Sequence, residues 1–216
     1  MEQLGNIVQL QSLHTWRCYD EGYGDGVSYG ALSNLQFMHT LDCQQDWDGF
    51  GHHLRYIPMK NIRILKCCYS EVIKALLTTD PPVQLKEFWL TSHYPSDWEG
   101  YPSLWNYLAR MTSLTHLSLP NIQLSNGPPS LISFRELQYL HIHVAFAPRF
   151  ANQPLKEMII DTESEPGKVM EEVRQHWQGT VFPHVEYLET DRRRDELNEI
   201  PIEFWREFLL KVNKVR

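Results

Sequence analysis

One spacing organises the chain: an apolar residue followed by apolar residues three, six and eight positions later, with mostly polar residues between. The clearest copies are Met111, Leu114, Leu117 and Leu119; Phe134, Leu137, Leu140 and Ile142; and Phe182, Val185, Leu188 and Thr190. The same spacing fits Leu10, Leu13, Trp16 and Cys18; Leu35, Met38, Leu41 and Cys43; Met59, Ile62, Leu65 and Cys67; and Pro82, Leu85, Phe88 and Leu90. A further copy, Leu155, Met158 and Ile160, lacks the first position. Aligned on the third position, the eight copies make Trp16, Leu41, Leu65, Phe88, Leu117, Leu140, Met158 and Leu188 equivalent, with steps of about 18 to 30 residues. The end of each copy alternates apolar and polar, the pattern of a strand with one buried face.

Between these strands the period changes. Residues 70–79 place Val72, Ile73, Leu76 and Leu77 at helical spacing and stop before Asp80 and Pro81. Helices are likewise predicted over 102–111, opening on Pro102, and over 166–178, with Val169, Met170, Val173 and Trp177 on one face. The stretches 20–30 and 121–129 are rich in Gly, Pro, Ser and Asn and are expected to be loops. Trp47 with Gly49, Trp98 with Gly100 and Trp177 with Gly179 each combine an aromatic anchor with a turn-permitting glycine.

The spacing resembles that of leucine-rich-repeat proteins. The implied fold class is α/β: a leucine-rich-repeat solenoid of about eight strand-loop-helix repeats, curved, with a parallel sheet on its concave face. A single domain is expected over 1–216, with repeats over 9–196 and a C-terminal capping helix over 197–216, where Ile202, Trp205, Phe208, Leu209 and Val212 would cover the last repeat. The family's regular turn residue, Asn or Cys three positions after the strand, is replaced here by Glu21, Asp46, Ser70, His93, Ile122, Ala145, Glu163 and Arg193, so each turn must be satisfied individually. In its irregular length and missing Asn ladder the chain is similar to the repeat region of fungal F-box proteins. That resemblance implies a substrate-receptor role in a ubiquitin ligase, with docking to the adaptor of a cullin-type ligase only if an F-box is supplied upstream. No F-box-like helical segment precedes Leu10, and Leu4, Ile7 and Val8 offer little cover for the first repeat.

Composition narrows the partner. The chain of 216 residues has 27 acidic and 20 basic residues, a formal charge of -7, which disfavours nucleic acid as a ligand. The run Arg192, Arg193, Arg194 is flanked by acids and is expected to be a solvated loop. No stretch reaches the ~20 apolar residues of a membrane helix, so no membrane partner is expected. Four cysteines, two of them adjacent, do not form a secreted framework. An intracellular location, cytoplasmic or nuclear, is expected.

Strand alternation sends three residues per repeat to the concave face, beginning with Thr15, Arg17 and Tyr19 and ending with Tyr187, Glu189 and Asp191. This face runs from basic (Arg17, Lys66) through aromatic and His-rich to acidic (Glu157, Asp161, Glu189, Asp191). The candidate partner-binding residues are Trp89, His116, Tyr139, His141, His143, Asp161, Tyr187 and Glu189, and the expected partner is a protein, with a basic segment meeting the acidic end. The alternative is a metal-binding protein or enzyme in which His141, His143 and a carboxylate of Asp161 or Asp191 converge. Cys18, Cys43 and Cys67 share a core-facing position and are expected to act as small hydrophobes. Gly26, Ser28 and Gly30 match a nucleophile elbow in spacing, but the preceding sequence is not a strand. No catalytic residue, metal ligand or cofactor is assigned.

Overall fold

Seven strands bury the residue at their third template position. In the computed structural model, which describes residues 9–14, 33–43, 56–68, 70–80, 83–90, 99–120, 124–129, 133–162, 166–190 and 200–215, Leu41, Leu65, Phe88, Leu117, Leu140, Met158 and Leu188 are all buried. Their strands are β2 (Thr40–Cys43), β3 (Ile64–Cys67), β4 (Glu87–Leu90), β5 (His116–Leu119), β6 (Tyr139–His143), β7 (Glu157–Asp161) and β8 (Tyr187–Thr190). Two further strands flank them, β1 (Ser12–His14) and β9 (Lys214–Val215).

The chain forms two compact units, Met1–Tyr94 and Pro95–Arg216. In the first, β1 to β4 pair in sequence order, all parallel, with Leu41, Leu65 and Phe88 in register. In the second, β5 to β9 do the same, with Leu117, Leu140, Met158, Leu188 and Val215 in register. Parallel order demands a crossover after each strand, and helices fill some of these: α1 (Ser70–Leu77), α2 (Tyr101–Leu108) and α3 (Pro166–Trp177). The architecture is α/β with parallel strands. Among the described residues no helix is long and apolar enough to cross a membrane.

A backbone signature repeats with the strands. At six places the carbonyl two residues before a central core position accepts two successive N–H groups from the next repeat. Gln11 O accepts from His39 and Thr40, His39 O from Arg63 and Ile64, and Arg63 O from Lys86 and Glu87. In the second unit Thr115 O serves Gln138 and Tyr139, Gln138 O serves Lys156 and Glu157, and Lys156 O serves Glu186 and Tyr187. Strands β2, β3, β4, β6, β7 and β8 are therefore pinned at their starts, and their register follows from hydrogen bonding as well as from the leucines.

That signature corrects the first repeat. Leu13, not Trp16, lies opposite Leu41, and Gln11 supplies the forked carbonyl. Leu10, Leu13 and Trp16 are evenly spaced, so the template fits in two registers, and backbone pairing selects the earlier one. Ser12 and His14 consequently lie opposite Thr40 and Asp42, the positions assigned from sequence to Thr15 and Arg17. Thr15, Trp16, Arg17, Cys18 and Tyr19 lie outside the described residues, as do Ser28 with its glycines, Trp47, Trp98, Asp191 and the arginine run.

The C-terminal segment also departs from expectation. In place of one capping helix, α4 covers only Ile202–Arg206, and Lys214–Val215 adds β9 beside β8. Phe182 N donates to Phe208 O, Asn213 N to Glu186 O, and Phe182 bridges Leu209 in parallel. Leu209, Val212 and Val215 thus repeat the spacing of Phe182, Val185 and Leu188. This is a ninth copy of the template. Of the residues expected to be apolar cover, Trp205, Phe208, Leu209 and Val212 are buried and Ile202 is half-buried.

The core is dense in aromatics near this end. The Trp177 ring lies 4.9 Å from Phe182, 6.3 Å from Trp205 and 5.7 Å from Phe208, and its indole N–H donates to Val144 O. Gly179 follows at φ 73, ending α3 in the left-handed conformation that glycine adopts at least cost. Helix α2 starts at Tyr101, one residue before Pro102, and closes at Leu108 with Arg110 and Met111 donating back to Tyr107 O and Leu108 O in tighter turns. Cys43, Cys67 and Cys68 are buried free thiols. Burial, reinforced by a hydrogen bond with Cys67, raises the Cys43 thiol well above its ordinary range, so Cys43 is held neutral and packs as a small hydrophobe.

Candidate protein-interaction face

The side of each sheet opposite the leucines carries the residues between them. In the first unit these are Asp42 on β2, Ile64 and Lys66 on β3, and Glu87 and Trp89 on β4, with Lys66 and Trp89 in register. Trp89 is half-buried and held on two sides. The Lys66 ammonium sits 5.0 Å from the ring centroid, and the indole N–H donates to Glu87 Oε2 at 3.2 Å. A cation over the indole face and a carboxylate on its N–H are complementary to the ring's charge distribution, so the Trp89 ring is ordered before any partner arrives. Farther along, His14 Nδ1 lies 3.4 Å from Asp42 Oδ2, a contact that is ionic only when the imidazole is protonated.

In the second unit two rows run across the strands. One row is His116, Tyr139, Glu157, Tyr187 and Lys214. The other is Ser118, His141, Ile159 and Glu189. His116 stacks on Tyr139 with ring centroids 5.6 Å apart and planes at 28°, and Thr115 Oγ1 bonds His116 Nδ1 at 2.9 Å. Tyr187 is 44% exposed. Glu157 is exposed, Glu189 half-buried. Ser118 Oγ bonds His141 Nδ1 at 3.1 Å, and both residues are buried although they sit on this side of the sheet.

The third position per repeat does not reach the face. Cys68, Pro120, His143 and Asp161 are all buried. His143 and Asp161 are still paired in the strand ladder, so their burial reflects what packs over them at the strand ends. His143 illustrates the cause. It caps the 3-10 segment Val144–Phe150, its Nδ1 accepting from Ala145 N at 3.2 Å, and its ring packs 5.9 Å from Phe146. The imidazole thereby satisfies the Ala145 amide at the start of the return segment. Asp161, 2% exposed, lies opposite His143 in the ladder.

Of the eight residues singled out from sequence, Tyr187, Tyr139, His116, Trp89 and Glu189 are therefore at the surface in whole or part. His141 is nearly covered, and His143 and Asp161 are inside. Among the described residues, which do not include Asp191, no group of three or more His, Cys, Asp or Glu side chains is placed to hold an ion. Glu157 is the residue that selection by type passed over. Its signal was positional, since it occupies the template position shared by Tyr139 and Tyr187. No protein-family model matches the chain, and no curated protein matches it.

Proposed function

We propose that the chain is a leucine-rich-repeat protein whose sheet face binds a protein partner in an intracellular compartment. The observation that carries this reading is the contrast between the two sides of the strands in the second unit. One side is a leucine core; the other presents Tyr139, stacked on His116, and Tyr187, 44% exposed, with carboxylates around them. Exposed tyrosines rimmed by polar groups are the usual centres of protein interfaces. Trp89, clamped by Lys66 and Glu87 in the first unit, is a second aromatic contact of the same kind. A substrate-receptor role in an F-box-type ubiquitin ligase is the specialisation that the sequence resemblance adds, and it would use these residues.

The test is a partner identified by proximity labelling and then measured directly. Tyr139→Ala with Tyr187→Ala is expected to weaken binding by about 30-fold or more, the cost of losing interface centres. Trp89→Ala is expected to weaken it independently, and circular dichroism should be unchanged in each variant. Unchanged affinity in both would remove the sheet face as the binding surface.

A further inference from the structure

Tyr139, Glu157 and Tyr187 are register partners on three adjacent strands, so their side chains leave the sheet on one side as a tyrosine, a carboxylate and a tyrosine. Neighbouring strands lie about 4.8 Å apart. A cation placed over Glu157 would then have a tyrosine on the strand to either side, and an aromatic ring attracts a cation within ~6 Å of its centroid. The carboxylate has no ion-pair or hydrogen-bond partner among the described residues, and it is exposed. The wall on the β6 side is already fixed, because His116 stacks behind Tyr139 and is itself bonded to Thr115. Glu189 stands on β8 in the adjacent row, next to Ile159, adding a second negative charge and an apolar contact.

We infer that this row is a receptor for an arginine side chain of the partner polypeptide, inserted over Glu157 between Tyr139 and Tyr187. The inference rests on the reading of the sheet face as a protein-binding surface. Arginine fits better than lysine for two reasons. Its planar fork engages a carboxylate through two parallel hydrogen bonds, and its weakly hydrated plane stacks on aromatic faces, whereas an ammonium is a compact, strongly hydrated point charge. Ile159 favours an apolar residue beside the arginine in the bound segment.

A random dodecapeptide display selection against the full chain supplies the probe. The expected result is a set of peptides sharing an arginine whose replacement by alanine weakens binding about tenfold or more, and by lysine about threefold. Glu157→Gln should weaken the arginine peptide about tenfold while leaving its alanine version unchanged, the coupling expected of a direct pair. Tyr187→Phe should keep the affinity, since the ring and not the hydroxyl is used, and Tyr187→Leu should lose about threefold or more. Peptides that lose binding with Tyr139→Ala and Tyr187→Ala but ignore Glu157→Gln overturn the arginine receptor and leave the binding face standing. No selectable peptide, or peptides indifferent to all of these variants, overturns both.

Discussion

Gly127 lies against Phe146, and a β-carbon built on it would run into the edge of that ring. Phe146 belongs to the Val144–Phe150 segment and is itself buried. Gly127→Ala is therefore expected to cost about 1–3 kcal/mol through overpacking, read as a lower urea midpoint at unchanged slope. Adding Phe146→Leu should recover part of that loss, because the two residues share one contact. Gly179 gives the opposite case. Nothing lies within 4 Å of its would-be β-carbon, and only its φ of +73 resists substitution, so Gly179→Ala should cost about 1 kcal/mol with no rescue from any neighbour. The second glycine was legible in the sequence, as the turn after Trp177. The first was not, because its constraint comes from a ring 19 positions away that only the folded chain brings close.

At the scale of elements, the strands were legible wherever the template admitted one register. Leu41, Leu65, Phe88, Leu117, Leu140, Met158 and Leu188 pair as their spacing requires. The two failures share a cause: a separation of three apolar positions belongs to the template and also to a helix. Leu10, Leu13 and Trp16 satisfy the template twice over, and Leu209 and Val212, whose spacing also suits an amphipathic helix, instead follow α4 outside any helix and lead into β9. The site was legible in its residue types but not in its depth. Alternation says which side of a strand a residue leaves, but not which positions other segments cover, and His143 and Asp161 are covered. The ninth repeat has a measurable consequence. Trp205 packs against Trp177 and Phe204, so Trp205→Ala is expected to cost about 3–5 kcal/mol. Since Asn213 N–H is bonded to Glu186 O, hydrogen exchange at Asn213 should accelerate in that variant well before exchange at Met158 or Leu140 does. Uniform acceleration across β6 to β9 would mean that the last repeat has no local stability of its own.

At the scale of the whole chain, the charge of -7 acts on any basic partner before contact is made. Such a field changes the rate of encounter, whereas Glu157, Tyr139 and Tyr187 act after docking, on the lifetime of the complex. The two contributions separate by salt. With an arginine peptide as probe, the association rate should fall about tenfold between low and high ionic strength as the Debye length shrinks from ~30 Å at 0.01 M to ~3 Å at 1 M, and dissociation should change little. Glu157→Gln removes one negative charge from an excess of seven, so it should leave most of the salt slope in place and raise the dissociation rate. A variant reversing exposed acids away from the sheet face, Glu203→Lys with Glu207→Lys, should do the reverse: flatten the association rate against salt and leave dissociation alone. If Glu157→Gln abolished the salt slope by itself, attraction would be a property of that one carboxylate, and the overall charge of the chain would have no part in bringing the partner in.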